Sequence, residues 1–359
     1  MIHIVIGTKA QLIKMAPVMS ALRNAGLSYR YISTGQHRET MEEILNNFGL
    51  KGPDITLYSG PDITSIPKML VWALRILWHT FKDRKRIFEN DRKGIVLVHG
   101  DTFSTLLGAL MGKAARLKVG HVESGLRSYN LFHPFPEEIT RLLTFALADY
   151  YFCPGTWAIK NLERYKGVRI DMGANTLLDA LEMAKSKIAN ISVDIPEEPY
   201  AIATLHRFEN VFSKPALERL VDIVGRIAES KKVVFILHKP TFNKLKEFNL
   251  YDILQSHPRV ELRPRYDYFR FIKLIDSADF VISDGGSNQE ECFYLGKPIL
   301  LLRQATEREE GLDVNCVLSR YDYATIKDFT ENFQRFQRPP FHPAISPSDR
   351  IALECVAFQ

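Results

Sequence analysis

Short apolar runs rich in β-branched and aromatic residues alternate with longer segments of helical period along the whole chain. Such alternation is typical of βαβ units, which build a parallel sheet with helices on both faces. The strands predicted in this way are residues 2–6, 29–33, 95–99, 119–122 and 150–153 in the first half, and residues 200–204, 232–237, 259–262, 280–283 and 298–302 in the second. Because the pattern starts again at residue 200, we expect an α/β fold of two Rossmann-like domains.

The length of the chain also favours two domains, since its 359 residues exceed the roughly 250–300 at which one hydrophobic core stops growing. We predict a first domain at residues 1–175, a second domain at residues 176–340 and a C-terminal helix within residues 341–359 that returns to pack on the first domain. We place the boundary within residues 173–198, where a helical segment ends in a run containing Pro and Glu at residues 194–199.

The composition excludes several classes of protein. A net charge of +5 without any long Lys/Arg block predicts that nucleic acid is not a partner, whereas an anionic small substrate fits. The four cysteines lie far apart and form neither a CxxC pair nor a metal-ligand spacing, so we expect no metal site and a reducing compartment. The chain opens directly into an apolar run without a basic leader, so we expect a cytoplasmic protein.

Residues 69–81 are apolar and aromatic, and basic residues follow them at 82 and 84–86. This pattern fits a helix lying on an anionic membrane surface, but helices packed on a sheet carry the same apolar stripe, and we prefer that interpretation. The run is too short, and too interrupted by Arg75, to span a bilayer.

Open α/β sheets bind ligands beyond the carboxyl ends of their strands, so candidate site residues are sought there. The first strand ends in Gly7-Thr8-Lys9, ahead of a helix that carries Lys14. This turn suits a phosphate group, but it is equally common as an ordinary surface turn. Asp101 follows a strand and precedes a helix, so it is either a helix N-cap or a carboxylate that faces a ligand.

Further carboxylates follow the next strand and begin the next helix. Glu123 stands where a strand ends, and Glu137 and Glu138 follow Pro136, with Arg141 one helical turn beyond. An acidic first turn explains one of these two adjacent glutamates but not the whole set of three acidic loops. Converging carboxylates can act as the base and the acid that exchange a proton with a carbon atom, so we expect proton-transfer chemistry.

In the second half, His206 and Arg207 follow a strand. The histidine either caps a loop or serves an anionic ligand as proton donor or phosphate partner.

A later strand runs into a helix through Gly285 and Gly286, a sequence that suits a diphosphate at a helix N-terminus. Ser287 and Glu290 have the spacing of a capping box, and Glu291 is placed to accept both hydroxyls of a ribose.

Taken in order, these motifs resemble those of the bacterial UDP-N-acetylglucosamine 2-epimerases over nearly the whole chain. The stretches that carry the resemblance are Gly7-Thr8 with Ile13-Lys14-Met15-Ala16-Pro17, Thr34-Gly35-Gln36-His37-Arg38, His99-Gly100-Asp101-Thr102, Gly120-His121-Val122-Glu123, Pro136-Glu137-Glu138, and Gln289-Glu290-Glu291 with Gly296-Lys297-Pro298. The resemblance implies two Rossmann-like domains facing each other across a cleft, as in GT-B glycosyltransferases. It also implies an active site in that cleft, a UDP-sugar substrate bound through the second domain, and a homodimer.

The resemblance further implies an epimerisation at carbon 2 of the sugar. This reaction is a step in the synthesis of cell-surface polysaccharide precursors. A base removes the proton at carbon 2 while the bond from carbon 1 to UDP breaks, and UDP returns to the resulting 2-acetamidoglucal after reprotonation on the other face. Because the elimination itself uncovers the acidic proton, we expect no cofactor. In the family, the positions that match Asp101, Glu123, Glu137 and His206 are important for catalysis. Our hypothesis is that Asp101 and Glu137 handle the proton, Glu123 supports the site and His206 faces the leaving phosphate.

The remaining site residues are expected to bind substrate, with the lysines and Arg207 offsetting phosphate charge and Glu291 holding the ribose. These residues are Lys9, Lys14, Arg141, Arg207, Gly285, Gly286, Ser287 and Glu291.

The chain also departs from the family pattern. Family members usually have Arg-Pro-Glu where this chain has Lys9-Ala10-Gln11, and a lysine is a point charge that cannot contact phosphate in a bidentate way. The departures favour a modified UDP-hexosamine as substrate. Three alternative functions stay open: a hydrolysing 2-epimerase that releases UDP and a free N-acetylmannosamine-type sugar, a glycosyltransferase of the same architecture, and a UDP-sugar-binding protein without catalysis. The three acidic loops of the first half argue against a glycosyltransferase.

Overall fold

The computed structural model describes residues 1–36, 41–60, 63, 66–131 and 136–359, and for residues 66 and 67 it describes the backbone alone. His37 and Arg38, which belong to one of the motifs above, lie outside the described residues, as do residues 132–135 ahead of Pro136. The chain divides into two compact units. The first unit comprises Met1–Met183 and Pro343–Gln359, and the second comprises Ala184–His342.

The first unit is built on a parallel sheet in the order β3-β2-β1-β4-β5-β6-β7. Its strands are β1 (Ile2–Ile6), β2 (Tyr29–Ser33), β3 (Ile55–Thr56), β4 (Ile95–His99), β5 (Lys118–Val122), β6 (Tyr150–Cys153) and β7 (Val168–Asp171). The connecting helices are α1 (Lys9–Asn24), α2 (Met41–Phe48), α3 (Ile66–Ile87), α4 (Phe103–Ala114), α5 (Glu137–Leu147), α6 (Thr156–Lys160) and α7 (Leu177–Ile188).

The central strands of this sheet are apolar at almost every position because helices cover both of its faces. Every residue of β1 and β4 is buried. The helix that follows β1 begins with a capping box in which Thr8 and Gln11 exchange side-chain-to-backbone hydrogen bonds. Since all the strands are parallel, their carboxyl ends, and the turns into the helices, share one edge of the sheet.

The second unit contains a six-stranded parallel sheet in the order β10-β9-β8-β11-β12-β13. Its strands are β8 (Tyr200–Thr204), β9 (Lys232–Leu237), β10 (Val260–Pro264), β11 (Phe280–Ser283), β12 (Ile299–Leu301) and β13 (Cys316–Leu318). Its helices are α8 (Phe208–Val211), α9 (Lys214–Ala228), α10 (Lys239–Glu247), α11 (Tyr251–Gln255), α12 (Tyr268–Ser277), α13 (Gly286–Leu295) and α14 (Tyr323–Asn332).

The last helix, α15 (Pro347–Cys355), belongs to the first unit and packs on α1. The backbone N–H and the hydroxyl of Ser348 both donate to Oδ2 of Asp179, at 2.8 and 2.5 Å. The N-terminal ammonium of Met1 donates to the carbonyl of Phe358 at 2.6 Å. Both ends of the described chain are therefore fastened to the same unit.

Three strands were not predicted from the sequence, namely β3, β7 and β13. Each lies at the edge of its sheet, where one side of the strand has no neighbour to bury it. They are two to four residues long, and β7 is largely exposed or half-buried, so none presents the continuous apolar run that marked the inner strands. Among the described residues, no helix is both long and apolar enough to cross a bilayer.

Candidate functional site

Two acidic residues leave neighbouring strands of the first unit at the same level. β4 and β5 pair in a register that sets His99 beside Val122, and the N–H of Gly100 donates to the carbonyl of Val122 at 2.9 Å. Asp101 follows the first of these strands and Glu123 follows the second. The structure therefore brings two of the predicted acidic loops together.

Glu123 is held in a strained and crowded position. Its φ is +60°, in the left-handed region that residues other than glycine rarely adopt, and such residues concentrate at functional sites. Its Oε1 lies 2.5 Å from Nζ of Lys14 and accepts from Nδ2 of Asn175 at 2.6 Å, while its Oε2 lies 3.4 Å from Nε2 of His99. With this side chain only 7% exposed, Glu123 is the buried centre of a charged cluster.

The two lysines expected near phosphate have different surroundings. Lys14 is buried, and its ammonium lies 2.5 Å from the Glu123 carboxylate. A buried ion pair of this kind holds both partners in place, because moving either one would leave an unpaired charge inside the protein. Lys9 is half-buried in the first turn of α1.

Asp101 forms an ion pair with the predicted substrate-binding residue Arg141. The Nε and Nη2 atoms of Arg141 lie 2.9 and 2.5 Å from Oδ2 of Asp101. The hydroxyl of Thr140 donates to the backbone carbonyl of Asp101 and to that of Glu137, which joins the first turn of α5 to the Asp101 loop. Asp101 does not cap α4; the side chain of Thr102 does so by accepting from the N–H of Thr105.

The two adjacent glutamates at the start of α5 have different environments. Glu138 is fully buried and accepts from Nε of Arg127 at 2.5 Å and from the N–H of Ser128 at 2.9 Å, with Nη1 of Arg141 3.3 Å away. Burial alone would raise the pKa of Glu138, but the Ser128 N–H and the Arg127 guanidinium bring that pKa below its ordinary value. Glu138 is thus a structural carboxylate that anchors the preceding loop. Glu137 is half-buried, which leaves it as the member of the pair suited to reaction.

His121 links the two acidic loops and was not assigned a role from the sequence. Its ring is buried, with Nε2 2.7 Å from the carbonyl oxygen of Gly100 and Nδ1 3.0 Å from Oγ of Ser124. Burial lowers the pKa of His121 to about 4. The ring is therefore neutral near neutral pH, donating to Gly100 and accepting from Ser124, and it spaces the turn before Asp101 from the turn around Glu123.

Gln11 is a second connecting residue that the sequence did not reveal. Its Oε1 accepts from the N–H groups of Gly7 and Thr8, and its Nε2 donates to the carbonyl of His99 at 2.8 Å and to Oγ1 of Thr105 at 3.0 Å. An amide can both accept and donate, whereas a carboxylate only accepts. The departure Lys9-Ala10-Gln11 therefore places at position 11 a side chain that ties the end of β1 to the end of β4.

In the second unit, a buried carboxylate organises the turn after β8. Asp284 is fully buried and accepts from the backbone N–H groups of His206 and Arg207, at 2.9 and 3.1 Å, and from Nδ2 of Asn210 at 2.9 Å. Asp284 immediately follows β11, which neighbours β8 in the sheet. Sequence reasoning assigned it no role, although its place after a strand was the same signal that selected Asp101.

The imidazole of His206 is exposed, and three neighbouring residues determine its position. Its ring stacks on that of His238 with 4.7 Å between centroids, and its Nδ1 lies 3.7 Å from Oδ1 of Asp284. A Cβ atom added at Gly285 would lie 2.7 Å from Cε1 of His206. Glycine is therefore required at position 285 for the histidine ring to keep this place.

The capping box predicted at the start of α13 is wrong. Gly285 is the N-cap and makes no side-chain cap bond. Ser287 is exposed in the first turn, and the buried Glu290 carboxylate lies 3.0 Å from Nη1 of Arg308 instead. The ion pair with Arg308 draws the glutamate away from the helix start.

The other predicted residues of this helix lie close to arginines and to buried polar groups. A Cβ atom added at Gly286 would lie 2.9 Å from Nε of Arg308, so this guanidinium covers the first helical residue. Glu291 is buried and accepts from Nδ2 of Asn288 at 2.9 Å.

Arg207 and two arginines that the sequence did not single out surround Glu307. Nη2 of Arg303 lies 2.8 Å from the Glu307 carboxylate, and Nη1 of Arg207 lies 4.0 Å from it. Burial would raise the pKa of Glu307, but Arg303 and Arg308 bring it down to about 2. Three arginines and the N-terminal end of a helix thus lie together at the start of α13, and a helix N-terminus favours an anion.

Comparison with known proteins places the chain among nucleotide-sugar enzymes. The sequence model of the family described as UDP-N-acetylglucosamine 2-epimerase matches residues 20–340. The chain belongs to this family. The epimerase-family chain is 32% identical to the UDP-N-acetylglucosamine 2-epimerase of Methanocaldococcus jannaschii over 87% of its own length and 86% of that protein. It is 33% identical to the protein of the same name from Bacillus subtilis, over 86% and 80% of the two chains.

A solved structure is also similar to this member of the family over almost its full length. The structure of the UDP-GlcNAc 2-epimerase from Neisseria meningitidis bound to UDP-GlcNAc has 27% sequence identity and a TM-score of 0.84, and the similarity covers 99% of both chains. Two parallel sheets with alternating helices therefore form the two-domain α/β fold of the UDP-GlcNAc 2-epimerases.

Proposed function

We propose that this protein is a UDP-N-acetylglucosamine 2-epimerase that inverts carbon 2 of a UDP-linked N-acetylated hexosamine by eliminating UDP and adding it back. The observation that carries the proposal is the acidic cluster of the first unit, in a chain that belongs to this family. Asp101, Glu123 and the first turn of α5 meet at the carboxyl ends of β4 and β5. This edge is where open α/β sheets place their chemistry.

Removal of the carbon-2 proton requires a carboxylate within hydrogen-bond reach, and its return from the opposite face requires a second acid. We assign these roles to Asp101 and Glu137, because Thr140 joins their backbones and neither side chain is fully buried. In the elimination, the proton passes to one carboxylate and the carbon 1–oxygen bond breaks with its electron pair leaving on UDP. The reverse addition then consumes the proton supplied by the other carboxylate.

Glu123 and Arg141 position these groups in the proposal. Arg141 holds the Asp101 carboxylate by two hydrogen bonds to one oxygen. Glu123 is fixed by Lys14 and Asn175 and shapes the floor of the site. Lys14 acts here through Glu123, while Lys9, which is half-buried at the start of α1, stays our candidate for a phosphate contact.

The second unit binds the UDP portion in this proposal. The diphosphate binds at the start of α13, where Gly285 and Gly286 add no side chain and Arg308 lies beside the helix start. His206 faces the leaving phosphate, since its ring is exposed while its backbone is fixed by Asp284. Positioned cations and amides stabilise a leaving anion most strongly when they need no rearrangement during the reaction. Glu291 holds the ribose hydroxyls.

The test is isotope exchange followed by NMR. The protein is incubated with UDP-N-acetylglucosamine in deuterated water, together with a panel of related UDP-hexosamines. We expect deuterium at carbon 2 in a product that still carries UDP. Free UDP together with a free sugar would instead assign the hydrolysing reaction. If no UDP-hexosamine gains deuterium or releases UDP, the proposed function is wrong.

The proposal also extends to the location, the oligomeric state and the pathway of the protein. We infer that the protein acts in the cytoplasm as a homodimer and supplies precursors for a cell-surface polysaccharide. The family membership supports this inference. Light scattering gives the mass in solution, and deletion of the encoding gene followed by analysis of surface sugars gives the pathway.

A further inference from the structure

Charged side chains of both signs lie around the start of α13. They pair with one another at distances of up to 4.0 Å, and they include three guanidinium groups and four carboxylates. The arginines are Arg207, Arg303 and Arg308, and the glutamates are Glu209, Glu290, Glu307 and Glu310. Counted over these seven residues, the cluster has no excess of positive charge to attract the diphosphate that we place here.

Glu307 is the carboxylate of this cluster that approaches the helix start. Its Oε1 lies 3.8 Å from the position of a Cβ atom added at Gly286, the first residue of α13, and no other described carboxylate oxygen lies nearer to that position. The Glu307 side chain is only 13% exposed, so salt and water screen its charge poorly. Burial would raise the pKa of Glu307, but Arg303 and Arg308 bring it down to about 2. A negative charge therefore lies beside the helix N-terminus at neutral pH.

Two of the arginines near Glu307 are each held by another carboxylate as well. Nε of Arg207 lies 2.5 Å from Oε1 of Glu209. Nη1 of Arg308 lies 3.0 Å from Oε2 of the buried Glu290. Loss of the Glu307 charge would therefore leave both guanidinium groups in place and would make the electrostatic potential at the helix start more positive.

We propose that the Glu307 carboxylate competes with the diphosphate of UDP for these guanidinium groups and thereby limits the affinity of the protein for UDP. The inference rests on the proposed function, because it concerns the diphosphate site at the start of α13. When the bond between carbon 1 and oxygen breaks, its electron pair stays on UDP, which gains one negative charge. The carboxylate therefore repels detached UDP more strongly than UDP that is linked to the sugar. This difference favours the return of UDP to the sugar.

The test is titration calorimetry of the purified full-length protein with UDP, a measurement that requires no turnover. Glu307→Gln should lower the Kd for UDP about tenfold or more, because a poorly screened negative charge near the diphosphate is removed. The KM for UDP-N-acetylglucosamine should fall by a smaller factor, since the diphosphate of this substrate carries one negative charge fewer. Glu307→Asp keeps the charge and should leave the Kd for UDP within about threefold of the wild-type value.

The matched control is Glu309→Gln, which removes the same charge from the same stretch of chain after β12. Glu309 is exposed, so water and salt screen its carboxylate from the diphosphate site. This variant should therefore bind UDP as the wild type does. An equal gain of affinity in Glu309→Gln and Glu307→Gln would mean that only the net charge of the protein matters, and the proposal would be wrong.

A second pair of variants allows for a loss of stability in Glu307→Gln. That change leaves the buried Arg303 without the carboxylate 2.8 Å from it, which should destabilise the fold. Arg303→Gln and the double variant Arg303→Gln/Glu307→Gln both lack this arginine, so their comparison removes the carboxylate without leaving a buried cation unpaired. The double variant should bind UDP about tenfold more tightly than Arg303→Gln does.

UDP binding that is weaker or unchanged in both comparisons would overturn the proposal, and weaker binding would mean that Glu307 holds the arginines in place. If the wild type also gains deuterium at carbon 2 of UDP-N-acetylglucosamine, the role of Glu307 alone is wrong. If the wild type binds no UDP, the diphosphate site at α13 is wrong, and this inference with it. Tighter binding in Glu307→Gln without deuterium exchange in the wild type would support the role of Glu307 and contradict the epimerase reaction.

Discussion

The candidate residues of the first unit and those of the second are held in place by different means. In the first unit, charged side chains hold one another: Glu123 contacts Lys14, and Asp101 contacts Arg141. In the second unit, the backbone provides the shape, since Asp284 binds main-chain N–H groups and Gly285 leaves room for the ring of His206. Paired carboxylates suit proton transfer, whereas backbone amides and glycines suit the binding of a diphosphate. The contrast predicts that mutations will affect the two units differently.

The largest effect should come from breaking the buried ion pair of the first unit. Lys14→Met should lower the free energy of unfolding by about 3–5 kcal/mol, because the Glu123 carboxylate stays buried without its cation. Lys14→Met combined with Glu123→Gln should cost less than the sum of the two single changes. Urea unfolding of the wild type, the two single variants and the double variant measures this coupling. Strictly additive costs would show that the pair does not hold the cluster together.

The neutral histidine between the acidic loops should give stability a pH dependence. Because burial lowers the pKa of His121 from 6.5 to about 4, the folded state binds this proton less readily than the unfolded chain does. Its contribution is therefore complete above pH 6.5 and is lost as the pH falls towards 4, by about 3 kcal/mol.

Urea unfolding of the wild type and of His121→Gln across this pH range isolates the contribution of His121. Buried Asp179, whose pKa burial raises to about 6, acts in the opposite direction but is common to both proteins. We expect the wild type to lose more stability on acidification than the variant. Equal losses in the two proteins would mean that His121 is protonated without penalty.

The carboxamide variants of the first unit should separate catalysis from binding. Asp101→Asn and Glu137→Gln should each lower turnover by about a hundredfold or more while UDP affinity stays unchanged, because only the proton transfer is lost. Glu163→Gln, a change at an exposed surface glutamate of the same unit, is the matched control and should leave both quantities unaltered. Steady-state kinetics and UDP titration calorimetry report the two effects. Full turnover in either variant would remove that residue from proton transfer.

The smallest effect tests the backbone shape of the second unit. Gly285→Ala adds a Cβ atom 2.7 Å from both His206 and Asn288, so the histidine must move and turnover should fall between about tenfold and a hundredfold. Gly225→Ala is the matched control, since a Cβ atom within α9 meets nothing within 4 Å. That change should raise the free energy of unfolding by about 0.5–1 kcal/mol and leave turnover unchanged. Unaltered kinetics in Gly285→Ala would show that the place of the His206 ring does not matter.

Much of the fold was open to prediction from the sequence because inner strands of a parallel sheet must be apolar along their length. β1, β4 and β9 were predicted with their observed bounds for this reason. The edge strand β7 was missed, since only one of its four residues is buried. Local patterns therefore serve best where burial is complete.

The site was predictable as a set of positions but not as a set of contacts. Placement after a strand was sufficient to select Asp101 and Glu123. Lys14, the partner of Glu123, lies 109 residues earlier in the chain, and Arg141, the partner of Asp101, lies 40 residues later. No local sequence pattern therefore predicts either ion pair. The capping box predicted at Ser287 was wrong for the same reason, because Arg308, eighteen residues beyond Glu290, attracts that glutamate. Long-range ion pairs decide which acidic residues are structural.

The attachment of α15 has a consequence for how the chain is made. A ribosome delivers the second unit before it delivers Pro343–Gln359, the stretch that completes the first unit. Until then Asp179 has no Ser348 to bind, and the ammonium of Met1 has no Phe358 carbonyl beside it. The first unit is thus completed only after the whole second unit has been synthesised.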